Sequence, residues 1–191
     1  MVKLVFRYGT MNSSKTANLL MLTYNYLAQN KEFYLIKPAC DTRDGLVSIK
    51  SRAFKEDMIC NLVMHPEMDS IAELLTDYKN LQCILVDECQ FLSEKNIDAL
   101  RKLKLDIPVI CYGLRTDYRG KLFSGSLRLF EVCDTIEEIK TVCVKCNNKA
   151  IINSKFIINE EGNRTIIYEG EQIDLGGEEK YEPICWNCWK K

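Results

Sequence analysis

Lys3-Leu4-Val5-Phe6-Arg7-Tyr8-Gly9-Thr10-Met11-Asn12-Ser13-Ser14-Lys15-Thr16 opens the chain with its most telling pattern. A short run dominated by apolar and aromatic residues, suited to a strand, leads into residues 9–16, and a helical pattern begins at Lys15. Strand, loop and helix in that order make the setting of a phosphate-binding loop. Successive backbone N–H groups and a helix N-terminus concentrate partial positive charge, Lys15 adds a full charge, and the Thr16 hydroxyl is suited to Mg²⁺. The motif G-x-x-x-x-G-K-[ST] has glycine where this chain has Ser14. That exchange is tolerated only if the residue's φ is not strongly positive. A competing reading is a polar helix cap, which Ser13 or Ser14 would supply equally well.

Beyond Thr16, the residues Ala17, Leu20, Met21, Tyr24, Leu27 and Ala28 recur at spacings of three and four, one face of an amphipathic helix. Phe33-Tyr34-Leu35-Ile36 reads as a second strand stopped by Pro38, and the polar residues 41–52, with Gly45, read as a loop. Residues 71–75 suggest a helix. Ile84-Leu85-Val86 has the continuous apolar character of a buried parallel strand, residues 96–104 are helical, and Val109-Ile110-Cys111-Tyr112 forms a strand closed by Gly113. Strands alternating with helices predict an α/β domain with a parallel sheet covered on both faces. Near Thr141 the pattern changes to short β-rich pieces, with Gly162 at a turn. Residues 1–140 are therefore expected to form the α/β domain and residues 141–191 a small β-rich module.

The composition is that of an ordinary globular chain: 191 residues, 47% hydrophobic and 28% charged. A formal net charge of −1 lacks the overall electrostatic footprint of a duplex-binding protein. No apolar run approaches the roughly 18–20 residues that span a bilayer, and the N-terminus has no secretory cleavage pattern. A cytoplasmic protein is expected. Of the ten cysteines, Cys40, Cys60, Cys83, Cys89, Cys111 and Cys133 are scattered singly and read as free thiols serving as small hydrophobes.

Two constellations carry chemistry. Asp87 and Glu88 follow the Ile84-Leu85-Val86 strand, at the kind of strand end where ligands gather in open α/β sheets. Asp87 is placed to organise Mg²⁺, directly or through its water ligands, which leaves Glu88 for proton abstraction or for positioning a water. Cys143-Val144-Lys145-Cys146 and Cys185-Trp186-Asn187-Cys188 form two CxxC knuckles able to close a tetrahedral thiolate shell around Zn²⁺. The alternative is two independent pairs, redox-active or merely buried. With His65 distant in sequence and read as a loop residue, the metal is expected to be structural. Between the knuckles, residues 169–177 read either as a solvated loop or as a flap whose backbone reads a ligand's edge.

Together these pieces resemble the zinc-containing thymidine kinases over almost the whole chain. The resemblance rests on residues 9–16, on Val86-Asp87-Glu88-Cys89-Gln90-Phe91, and on Tyr112-Gly113-Leu114-Arg115-Thr116-Asp117-Tyr118-Arg119-Gly120. It ends with Gly176-Gly177-Glu178-Glu179-Lys180-Tyr181. It implies a RecA-like P-loop domain followed by a zinc-binding domain carrying a lasso loop. Donor phosphates would lie on Gly9, Thr10, Met11, Asn12, Ser13, Ser14, Lys15 and Thr16, with Asp41, Arg43, Asp87 and Gln90 nearby. Glu88 would be the catalytic base, and Thr16 and Asp87 would hold Mg²⁺. Met11, Leu114, Tyr118, Phe123 and Tyr181 would line the nucleoside pocket, with the lasso backbone at Gln172, Ile173, Asp174, Leu175 and Gly176 on the thymine edge. Cys143, Cys146, Cys185 and Cys188 would hold Zn²⁺.

The activity implied is ATP-dependent phosphorylation of thymidine, with deoxyuridine a further acceptor, in deoxynucleotide salvage. Feedback binding of dTTP and a homotetramer are implied, with no nucleic-acid or membrane partner. Two other readings are a P-loop ATPase whose zinc ribbon binds nucleic acid or protein, and a kinase that prefers another deoxynucleoside. The acidic residues Glu169, Glu171, Asp174, Glu178 and Glu179 in and beside the lasso argue against the first.

Overall fold

The computed structural model describes residues 2–160 and 162–190. Its strands are β1 (Lys3–Tyr8), β2 (Glu32–Pro38), β3 (Ser48–Ile49), β4 (Met58–Ile59), β5 (Leu62–Met64), β6 (Leu81–Val86), β7 (Pro108–Gly113), β8 (Thr135–Glu138), β9 (Ile152–Ile158), β10 (Arg164–Ile167) and β11 (Tyr181–Ile184). The helices are α1 (Lys15–Ala28), α2 (Glu94–Arg101), α3 (Ser124–Val132) and the single-turn α4 (Trp186–Trp189).

Six strands form one sheet in the order β5-β2-β6-β7-β1-β8, every neighbouring pair parallel. Alternation along each strand sends successive side chains to opposite faces. Leu4, Phe6, Ile84, Val86, Val109 and Cys111 pack with Ile97, Leu100 and Leu129 of α2 and α3. Val5, Leu35, Leu85, Ile110 and Tyr112 pack instead with Leu19 and Leu20 of α1. With both faces buried, the strands read as near-continuous apolar runs, which is why β1, β6 and β7 were legible. Their carboxyl ends lie along one edge, where the loops after β1, β2, β6 and β7 converge.

A second sheet, β10-β9-β11, is antiparallel. Its core of Ile152, Ile184 and Trp189 lies beside the four knuckle cysteines. Gly162 takes φ +82° between β9 and β10, as a turn glycine should. The six scattered cysteines are free.

Several sequence expectations need correction. Residues 71–75 form only one 3-10 turn at Glu73–Leu75, since Ile71 and Leu75 alone are buried there and a single turn suffices to bring them inward. β2 does not stop before Pro38 but includes it as the last residue. The polar stretch 41–52 contains β3, paired antiparallel with β4. α2 starts before Asn96, because Ser93 and Asn96 exchange side-chain and backbone bonds of 3.2 and 3.1 Å in a capping box. α3 escaped notice because its first turn carries Gly125, a poor helix former. A Cβ there would lie 2.5 and 2.6 Å from the Cys89 and Leu92 carbonyls, so packing against the β6–α2 connection excludes any larger residue.

Candidate active site

The loop between β1 and α1 wraps around the start of the helix. Lys15 is 8% exposed, and its Nζ donates to the Thr10 carbonyl at 2.8 Å. Ser14 does not meet the condition the sequence set for it: its φ is +62°, in the left-handed region, as is Asn12 at +61°. Ser14 is fixed there by Asn18, whose backbone N–H and side-chain amide donate to the Ser14 carbonyl at 2.9 and 2.8 Å. The polar-cap reading fails as well. Ser14 makes no side-chain cap bond, and the Ser13 hydroxyl is buried without a hydrogen-bond partner among the described residues. The loop is shaped by its backbone, with N–H groups rather than side-chain caps at the helix start.

Across the cleft, β6 ends at Val86 and delivers Asp87, 6% exposed, opposite the loop. The Thr16 hydroxyl donates to the two Asp87 carboxylate oxygens at 3.4 and 3.3 Å. Burial, joined by the charge of Glu88, pushes the Asp87 carboxyl up to about 7. Burial likewise lowers the Lys15 ammonium, with Glu88 and Asp87 acting in the opposite sense. An all-oxygen pair of hydroxyl and carboxylate beside the loop between β1 and α1 has the donor chemistry of a hard-cation site.

Glu88 has a left-handed backbone, φ +47°, and its side chain is held from two sides. The Gln90 amide donates to Glu88 Oε2, and Arg43 Nη2 pairs with Glu88 Oε1 at 2.6 Å. Gln90 Oε1 in turn accepts from the Leu114 N–H at 2.9 Å, tying the acidic motif to the end of β7. Arg43 Nε also holds Asp41 Oδ1 at 2.7 Å, and Lys37 Nζ lies 3.6 Å from Asp41 Oδ2. Burial raises the Asp41 carboxyl, but Arg43 and Lys37 outweigh it and hold it below its ordinary range. The same carboxylates raise the Arg43 guanidinium against the effect of its burial. Lys37, 2% exposed, also donates to the Gly45 and Ser48 carbonyls at 3.0 and 2.9 Å. Sequence reading missed Lys37, because a lysine at the end of a strand usually signals solvent.

The far wall is aromatic and apolar. Tyr118, Phe123 and Tyr181 are buried, Phe123 stacks edge-on with Phe91, and the Tyr118 and Tyr181 centroids are 6.3 Å apart. Residues 172–176 close that side. Gln172 Nε2 donates to Asp117 Oδ2 and to the Leu122 carbonyl, each at 3.2 Å, and the Tyr118 hydroxyl donates to the Glu171 carbonyl at 3.1 Å. A cleft of about 700 Å³ joins the two walls. It brings together Met11, Asn12, Ser14, Lys15, Thr16, Asp41, Arg43, Asp87, Glu88, Gln90, Leu114, Tyr118, Phe123, the 172–176 segment and Tyr181. Gly9, Thr10 and Ser13 are not among its lining residues.

Two further residues link the cleft's parts without any motif to announce them. Asn153 Oδ1, from β9, accepts from the Met11 N–H at 2.7 Å. Arg52 donates to Asn12 Oδ1 at 3.0 Å and pairs with Glu178 at 2.8 Å, spanning from the loop after β1 to the segment that leads into β11.

The four knuckle cysteines converge, their sulfurs all within 4.8 Å of one another, in a group that could hold a metal ion. All four are free of disulfides. Cys146 Sγ lies 3.6 Å from Cys185 Sγ and 3.7 Å from Cys188 Sγ. The Lys145 N–H and the Asn148 amide each point at a cysteine sulfur at 3.4 Å, as suits thiolate acceptors. The reading as two independent pairs is not what the fold builds.

Comparison with known proteins gives the same direction. The family model described as "Thymidine kinase" matches residues 2–189. A thymidine kinase of Enterococcus faecalis is 40% identical over 190 residues, covering 97% of this chain and 93% of the relative. One from Streptococcus agalactiae is 37% identical over 188 residues, covering 97% and 95%. One from Shewanella oneidensis is 38% identical over 190 residues, covering 97% and 95%.

Proposed function

Because the chain belongs to the thymidine kinase family, we infer that it transfers the terminal phosphoryl group of ATP to the 5′-hydroxyl of thymidine, with Glu88 receiving the hydroxyl proton. The products are ADP and thymidine 5′-monophosphate, which places the reaction in deoxynucleotide salvage.

One observation carries the reading of the site: a single cleft has the phosphate loop on one wall, an aromatic pocket on the other, and Glu88 between them. Phosphoryl transfer asks for positioning and charge neutralisation more than for covalent chemistry. Within residues 9–16 the N–H groups of Gly9, Met11 and Ser13 are engaged by Gly113, Asn153 and Thr10; the remaining ones, with Lys15, would cradle the donor phosphates. Arg43 supplies a fork-shaped cation suited to charge that develops on the transferring group. Glu88, oriented by Gln90 and Arg43, takes the proton as the 5′ oxygen attacks phosphorus and the bond to the ADP oxygen breaks. Thr16 and Asp87 would hold Mg²⁺, which supplies charge neutralisation for the phosphates. The aromatic wall and the lasso exclude water from the reacting group. A pyrimidine held by main-chain groups in a tight apolar pocket favours thymidine and deoxyuridine over purine nucleosides.

The metal proposed for the four cysteines is Zn²⁺. Zn–S bonds of about 2.3 Å in a tetrahedron put sulfurs about 3.8 Å apart, close to the 3.6 and 3.7 Å separations at Cys146. Its role is structural, fastening the base of the lasso. Family membership also supports feedback binding of dTTP, homotetramer assembly and a cytoplasmic location; among the described residues no helix is long and apolar enough to cross a membrane. The proposed domain division, 1–140 and 141–191, corresponds to the two main sheets.

The test is a phosphoryl-transfer assay over a panel of nucleosides, with metal analysis for one Zn per chain. Transfer to thymidine and deoxyuridine, with little to purine nucleosides, is expected; ATP hydrolysis raised by polynucleotide and not by thymidine would sink the reading.

A further inference from the structure

Asp174 sits in the middle of the lasso with both carboxylate oxygens engaged. Oδ1 pairs with Lys180 Nζ at 2.7 Å and Oδ2 with Lys155 Nζ at 2.7 Å. Lys155 comes from β9, the central strand of the small sheet, and Lys180 immediately precedes β11. The two lysines hydrogen-bonded to it hold the Asp174 carboxyl below its ordinary range.

The same group of residues grips the lasso backbone. Lys180 Nζ donates to the Leu175 carbonyl at 3.0 Å, and the Tyr181 hydroxyl donates to the Asp174 carbonyl at 2.7 Å. Lys155 Nζ also lies 5.1 Å from the centroid of Tyr118, the ring whose hydroxyl holds Glu171. Two lasso carbonyls are thus tied to the protein, while among the described residues the N–H groups of Ile173, Asp174, Leu175 and Gly176 donate to none of it. A segment with carbonyls fastened and N–H groups free is prepared to donate to a ligand. At its centre it is fastened by the Asp174 carboxylate on its two lysines, together with the Lys180 and Tyr181 bonds to its carbonyls.

We propose that Asp174 is a positioning residue for the acceptor nucleoside. Its ion pairs with Lys155 and Lys180 pre-order residues 172–176, so that binding thymidine does not have to order that loop. The inference rests on the reading of this segment as the acceptor-binding lasso. Asp174 touches no reacting atom, so its effect belongs to acceptor affinity and not to the transfer step. Partly exposed pairs of this kind are individually weak and are screened by salt, so the effect is modest and salt-sensitive.

Steady-state kinetics of the full-length enzyme test this. Asp174→Ala and Asp174→Asn should each raise the KM for thymidine by about three- to tenfold, with kcat and the KM for ATP held within about twofold. Asp174→Glu should recover most of the loss. Adding Lys155→Ala to Asp174→Ala should cost little more, since the pair is already broken. Added salt should raise the thymidine KM of the wild type more than that of Asp174→Ala. An unchanged thymidine KM in Asp174→Ala, or an equal rise in the ATP KM, overturns the proposal. A chain with residues 172–176 replaced by Gly and Ser separates the two readings. If that replacement abolishes thymidine use while Asp174→Ala does nothing, the lasso reading stands and the role of Asp174 falls. If the replacement also leaves thymidine KM unchanged, the lasso reading itself is wrong.

Discussion

Arg43 Nη2 pairs with Glu88 Oε1 at 2.6 Å while the Nε of the same guanidinium holds Asp41 at 2.7 Å. The proposed base and the cation suited to phosphoryl charge therefore orient one another, and Lys37 behind Asp41 fixes the far end of the chain of charges. A lysine in place of Arg43 keeps the charge but loses the planar fork that reaches both carboxylates. Arg43→Lys is expected to lower kcat by about 10²–10³-fold, with the thymidine KM nearly unchanged. A variant with wild-type kcat would remove Arg43 from the mechanism.

Glu88→Gln retains the shape of the side chain and its place beside Gln90 but has no basic oxygen. Turnover should fall by roughly 10²–10⁴-fold. Affinity for a non-hydrolysable ATP analogue, measured by calorimetry, should be largely preserved, since residues 9–16 are untouched. Unchanged turnover would assign the proton to another group.

Asp87 gives a pH dependence with a definite sign. Burial and Glu88 raise its carboxyl from 3.8 to about 7 in the folded protein. Its contribution to stability is therefore fully present below the ordinary carboxylate range, and is lost as pH rises through about 7. Asp87→Asn should raise Tm at pH 8 and change it less at pH 5, by about 2–4 °C for each kcal/mol relieved. Mg²⁺-dependent ATP binding should move oppositely in the wild type, weakening as pH falls below about 7 and Asp87 takes up its proton. A Tm difference between variant and wild type that is the same at both pH values would contradict the assignment.

Removing the proposed Zn²⁺ should loosen the small sheet before the large one. Cys185→Ser, or treatment with a strong chelator, is expected to cost on the order of several kcal/mol of local stability. For a chain of this size that is roughly 10 °C in Tm. The thymidine KM should rise more than the KM for ATP, because the lasso springs from between the knuckles. Full metal content in Cys185→Ser would remove that cysteine from the ligand set.

Ser14 holds a left-handed backbone at φ +62° without a side-chain cap in return. Glycine would relieve about 1–2 kcal/mol of steric cost and give back part of it through chain entropy. Ser14→Gly should be stabilising by about 0.5 kcal/mol and leave donor affinity close to wild type, since the backbone N–H remains. Thermal unfolding and ATP-analogue binding measure the two halves; a destabilised variant would mean that the serine side chain matters in a way its hydrogen bonds do not express.

The strand, loop and helix around residues 9–16, the placement of Asp87-Glu88 in the cleft and the convergence of the paired knuckles were legible because each combines a local pattern with a distinctive residue. β1, β6 and β7 were legible because both their faces are buried. α3 was not, since Gly125 is required by a close approach that no local pattern reveals. Nor were Lys37, Asn153 and Lys155, whose importance comes from what they meet: Asp41, Met11 and Asp174 respectively. A lysine or asparagine in a strand has the same letter whether it faces water or completes a cleft. Ser14 shows the reverse case, where the residue type argued against the backbone conformation that the fold imposes.

The 2.7 Å bond from the Met11 N–H to Asn153 Oδ1 joins residues 142 positions apart. With it, the loop between β1 and α1 takes a support from β9, the central strand of the sheet beside the four knuckle cysteines. The two regions are thus poor units for exchange. A chimera that grafts the C-terminal region of a distant relative onto residues 1–140 would alter the proposed donor site as well as the proposed acceptor lid, and any graft that replaced Asn153 would need a compensating change at the loop.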